Sequence, residues 1–138
     1  MSAPSIAQSV DLASRLQRLA AQFLDGLVAG IPFVGALLVA FLLPRSDVVA
    51  FLPIVVGAIL GALYTLLADG LEGGQSFGKR LVGIRVVSME TGAPCTFGQS
   101  FVRNLLLMLL GPIDWIFIFG ERHQRLGDKA AGTIVVLD

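Results

Sequence analysis

Residues 26–44 read GLVAGIPFVGALLVAFLLP and residues 48–68 read VVAFLPIVVGAILGALYTLLA, runs of 19 and 21 positions without a charged side chain. A helix needs about 20 apolar residues to cross about 30 Å of hydrocarbon, so each run predicts a transmembrane helix. The connector Arg45-Ser46-Asp47, behind Pro44, has room only for a turn, which makes the two spans an antiparallel hairpin. A soluble bundle of 138 residues could not cover two such runs on every side. Composition points the same way, with 55% apolar residues, 14% charged residues and 16 glycines. The first run outlasts the roughly 7 to 15 residues of a signal-peptide core and a second follows at once, so it reads as a retained anchor.

Lysines and arginines set the expected orientation. Arg15 and Arg18 precede the first span, Arg45 alone lies in the connector, and Lys79, Arg80, Arg85 and Arg103 follow the second span. That bias predicts an integral protein of the plasma membrane with its N-terminus in the cytoplasm. A net charge of zero argues against a nucleic-acid partner, which would require a basic face. Cys95 and His123 are the only residues of their kinds, so no disulfide framework and no cysteine or histidine metal set is expected. Gly73-Gly74-Gln75-Ser76-Phe77-Gly78-Lys79 has the spacing of a phosphate loop, but Arg80 stands where a magnesium-binding hydroxyl is needed. No serine has a matching base. Neither an enzyme nor a cofactor is expected.

A third apolar run, residues 104–120, carries only Asp114 and is interrupted by Gly111-Pro112, which predicts a kink. Residues 81–87 and 133–137 are β-branched runs that suit paired strands. If they pair, both ends of the third run lie on the cytoplasmic side, and the run re-enters or lies at the interface; an ordinary third span is the alternative. The expected fold is therefore a membrane all-α domain over residues 1–138, with a small cytoplasmic β-sheet from residues near 81–88 and 133–137. Its elements are a first helix at 11–44, a second at 48–69, a loop with strands at 70–97, a third helical segment at 98–120, and a C-terminal loop and strand at 121–138.

Within that frame the charged residues become candidates. Asp11, Arg15, Arg18, Gln22 and Asp25 recur at helical steps and form one polar stripe. An acid buried as deep as Asp25 survives only with a partner or a wet cavity, where it can bind a cation or a proton; its alternative is a solvated position at the boundary. Asp114, just past the break, either caps freed backbone amides or joins Asp25 in holding an ion. Asp69 reads as a solvated helix end, and Trp115, Phe117 and Phe119 as an interfacial aromatic anchor. Gly26 with Gly30, and Gly57 with Gly61, share helical faces and predict packing seams within the hairpin or between protomers. Lys79 and Arg80 are expected to meet lipid headgroups.

Three stretches, taken together, resemble the RDD family of small bacterial membrane proteins: Arg18 to Asp25, Gly74-Gln75-Ser76-Phe77-Gly78-Lys79-Arg80 leading into Leu81 to Val87, and Gln124 to Thr133 with its Asp128. The resemblance carries Arg18, Asp25 and Asp128 over as signature residues, and Arg103, Asn104 and Asp114 as features of many members. It implies a membrane domain for which ligand transport has been proposed and cation/proton antiport reported in some members. It also implies an Arg18–Asp128 pair locking the first helix to the C-terminal cap. The leading expectation is a transport-related module whose Asp25, with Asp114, takes a monovalent cation or proton. Because two or three spans enclose no path alone, it would act as a homo-oligomer in the lipid bilayer. A structural or interaction module is the competing expectation.

Overall fold

The computed structural model describes residues 10–43 and 47–138. Helix α1 (Arg15–Leu42) begins at Ser14, whose side chain accepts from the Gln17 amide while the Gln17 side chain accepts from the Ser14 amide. This cap starts the helix four residues later than the polar stripe predicts. Asp11 to Ala13 instead run beside the sheet, with Leu12 bridged to Val136. Helix α2 (Asp47–Leu67) returns along α1; the predicted turn at residues 44–46 lies outside the described residues. Both are long and apolar enough to cross a membrane. Phe41 and Val48 are 83% and 82% exposed, an apolar surface that only lipid or another apolar partner would cover.

Gly57 and Gly61 form the seam within the hairpin. A Cβ at Gly57 would come within 2.6 Å of the Pro32 carbonyl, and one at Gly61 would run into the Ala29 carbonyl. Gly26 and Gly30 are different, because nothing lies within 4 Å of the position a side chain would take. Of the two predicted seams, only the one on α2 is used inside the chain.

After two 3₁₀ turns (Ala68–Gly70 and Glu72–Gly74) the chain forms the short helix α3 (Phe77–Val82), capped by Ser76 and ended by Gly83 at φ 74°. Residues 81–83 thus finish a helix, and strand β1 covers only Ile84–Ser88. Helix α4 (Phe97–Leu110) repeats the capping device with Thr96 and Gln99. It breaks at Gly111 and turns by 111° into α5 (Pro112–Ile116) and a 3₁₀ turn, Phe117–Phe119. The break follows from Pro112, which has no amide to continue α4 and suits the first turn of a new helix. Helix α6 (Leu126–Ala131) and strand β2 (Thr133–Leu137) close the chain. Strands β1 and β2 pair antiparallel, with Val86 opposite Val135. Ala13, Ala21, Ile84, Val86, Cys95 and Val135 make the core under this cap.

Candidate functional site

Of the 10 basic and 10 acidic residues in the sequence, four of each are buried among the described residues: Arg18, Lys79, Arg103 and Arg125 with Asp25, Asp69, Asp114 and Asp128. They form one continuous network where the hairpin meets the cap. Arg103, fully buried on α4, is its centre, reaching Asp69 at 3.1 Å with one terminal nitrogen and Asp128 at 2.7 Å with the other. Arg18 of α1 also donates to Asp128 and to the His123 carbonyl, so first helix and C-terminal cap are tied through that pair. The carbonyl is presented by a turn that holds His123 at φ 50°. Burial alone would push the Asp128 carboxyl up, but the guanidiniums of Arg103, Arg18 and Arg125 hold it well below the usual carboxylate range.

Lys79 does not face headgroups as expected. It is 6% exposed, with its ammonium 2.5 Å from Asp69 and 3.7 Å from Asp25. The reason is the Ser76 cap, which starts α3 so that Lys79 turns inward while Arg80, the next residue, stays exposed. Burial lowers the Lys79 pKa despite the opposing pull of Asp69. Asp69 is 1% exposed rather than a solvated helix end, and also accepts from Asn104 at 3.1 Å.

Asp25 is buried and saturated with donors: Tyr64 at 2.9 Å, Ser76 at 2.5 Å and the Gly78 amide at 2.8 Å. A side chain at Gly78 would collide with the Ala21 carbonyl and Asp25 itself, so glycine is what lets α3 sit on α1. A polar cavity of about 30 Å³, the size of one small guest, opens here among Gln22, Asp25, Tyr64, Asp69, Ser76 and Lys79. Asp114 is absent from its lining. It accepts the Gly127 amide at 2.7 Å and lies 3.6 Å from Arg125, so the expected Asp25 and Asp114 ion site is not assembled and Asp69 stands in Asp114's place.

The aromatic run also carries cations, with Arg125 over Trp115, Arg15 over Phe119 and Lys129 over Phe117 at 5.1 to 5.4 Å. A wider open groove of about 490 Å³ beside Phe117 and Arg122 touches none of the network. Among the described residues no group of three His, Cys, Asp or Glu side chains is placed to hold a metal ion.

The RDD family signature matches residues 12–132, from the Leu12 bridge to the glycine that ends α6. The chain belongs to the RDD family. Within this RDD chain, the matched region contains every member of the buried network. An uncharacterized protein of Haemophilus influenzae is 32% identical over 72 residues, covering 47% of this chain and 46% of that protein. The match therefore spans about half the length of the curated relative. No solved structure matches the RDD chain significantly.

Proposed function

We propose that this RDD protein is a transport-related integral protein of the bacterial plasma membrane, exchanging a monovalent cation for a proton, with both chain ends in the cytoplasm. The observation that carries the reading is the Lys79 ammonium, held between Asp25 and Asp69 on the wall of a polar cavity. A sodium- or potassium-like cation drawn to those two carboxylates competes with the ammonium for the same charge. As it binds, an Nζ–H bond breaks, the proton leaves through water and the amine keeps the electron pair. One positive charge enters and one departs, so the buried site keeps its balance. Lysine suits this step because burial already favours its neutral form, whereas the guanidiniums around it stay charged.

A path across the bilayer requires several copies, and Gly26, on the cavity wall with no neighbour of its own, gives a second copy a close approach. One observation favours the competing role, a non-transporting structural module: four acids met by four bases is also what a permanent lock between cap and hairpin would need.

Vesicles containing the purified protein and an internal pH dye separate the two. Sodium, potassium or lithium added outside should drive proton movement in the wild type, and Asp25→Asn or Lys79→Met should abolish it without loss of the folded elution peak. Equal responses in wild type and variants would remove these residues from the mechanism, and no response under any gradient would leave the lock.

A further inference from the structure

The two halves of the chain repeat each other contact for contact. Ala13 donates its amide to the Val135 carbonyl at 3.1 Å, and Cys95 donates to the Val86 carbonyl at 3.0 Å. Leu137 donates to Asp11 at 2.9 Å, and Ser88 to Ala93 at 2.9 Å. Leu12 bridges Val136, and Pro94 bridges Val87. In each case one fixed displacement carries Ala13 onto Cys95 at the start of a half, and another carries Val86 onto Val135 at its end. Val86 and Val135 are themselves register partners, so a two-fold axis passes between them.

The correspondence extends through the helices. The boxes Ser14 with Gln17 and Thr96 with Gln99 start α1 and α4 at equivalent positions. Gln75 donates to the Ile84 carbonyl and Gln124 to that of Thr133, each side chain nine residues ahead of its acceptor. The second contact of each also matches, Gln75 with Asp138 and Gln124 with Met89. Gly83 and Gly132 end α3 and α6 in the left-handed region, at φ 74° and 63°. A Cβ on Gly78 would strike the Ala21 carbonyl, and one on Gly127 the carbonyl of Arg103, the residue equivalent to Ala21.

We infer that the domain is an internal two-fold repeat of one unit, comprising a bridging segment, a capped helix, an apolar excursion, a short Gln-led helix, a left-handed glycine and a strand. Local contacts of an antiparallel pair account for one or two such coincidences, but not for matching caps, glutamine clasps and glycine contacts far from the strands. Three consequences follow. Asp114 is the counterpart of Asp25: each carboxylate, carried by its own half's excursion, accepts the amide of the equivalent glycine, Gly127 or Gly78. The first half places Lys79 after its glycine and the second places Asp128 there, so the charge network runs across the repeat interface, the position at which internally repeated transporters build their sites. Finally, α4 corresponds to the first part of α1, from Arg15 to Val28, and breaks where α1 continues; α4 and α5 are a foreshortened hairpin that enters and returns on one side. The repeat rests on geometry alone and stands whether or not the protein exchanges ions.

The test uses the full chain in a Cys95→Ala background. Paired cysteines at Leu12 and Val136, and separately at Pro94 and Val87, should cross-link in native membranes with equal yield, because the two bridges are equivalent. In a second arm, Asp138 is joined to Met1 and new ends are opened between Thr91 and Gly92, the turn linking the halves. This permutant should elute and melt like the wild type, whereas one opened inside a unit, between Leu71 and Glu72, should not. Cross-linking of one cysteine pair only would overturn the repeat, as would equal tolerance of the two openings.

Discussion

Arg103→Met is expected to lose most of the folded protein. The guanidinium lies between two buried carboxylates, 3.1 Å from Asp69 and 2.7 Å from Asp128, and the thioether that replaces it offers neither a charge nor a donor. Removing one partner of a buried ion pair costs about 3 to 5 kcal/mol, because the other charge remains out of water without compensation. Domains hold only about 5 to 15 kcal/mol in total, so the loss should appear as a collapse in detergent-soluble yield and a large fall in melting temperature. Arg103→Lys should recover little of it, since one ammonium cannot span both acids in the planar way a guanidinium does. Acid sensitivity follows with a defined sign. Asp128 is held below its unfolded value, so its contribution is complete above the ordinary carboxylate range, near pH 4, and is lost as pH falls towards the folded value. Without Arg103 that depression shrinks and the acid-induced stability loss becomes shallower, which Trp115 fluorescence can follow.

Gly127→Ala is the second large effect. The added methyl would run into the Arg103 carbonyl oxygen and lie 2.9 Å from its carbon, and backbone on α4 cannot turn aside as a flexible side chain can. Forcing α6 off α4 costs about 1 to 3 kcal/mol as overpacking, and more if Asp128, the next residue, is drawn from Arg103 and Arg18. Thermal melts in detergent should show the drop. Gly26→Ala is the control: with nothing within 4 Å of the new methyl, the protomer's melting temperature should not change.

Sequence periodicity carried the apolar elements well because the physics behind them is local. Charge-free length marks a crossing, Gly111-Pro112 marks a break, and β-branched runs mark strands, each without knowledge of what packs nearby. The site was less legible because burial of a charge is a tertiary property. Nothing adjacent to Asp69 distinguishes it from a wet helix end; its neighbours Lys79, Arg103 and Asn104 come from other elements. Lys79 was misplaced because two basic residues in a row suggest headgroups, while the Ser76 cap three residues earlier, visible in the sequence, sends the first inward and the second outward. Arg125 drew no notice as one of several cations in a polar loop, although it joins Asp114, Asp128 and Trp115. The internal repeat was hidden for a different reason. Its two units share little beyond a glutamine, two glycines and a valine pair, and those positions fix backbone contacts instead of a hydrophobic pattern.

The exchange reading reduces to one proton on one nitrogen. With the protein in detergent micelles and its lysines labelled with nitrogen-15, the Lys79 Nζ resonance can be assigned by its loss in Lys79→Met and followed as sodium or potassium is added at constant pH. If the cation takes the ammonium's place between Asp25 and Asp69, the resonance moves from the ammonium position towards the neutral amine, and the shift is absent in Asp25→Asn. An Nζ that stays fully protonated at every cation concentration would contradict the account and leave the charge network as a lock.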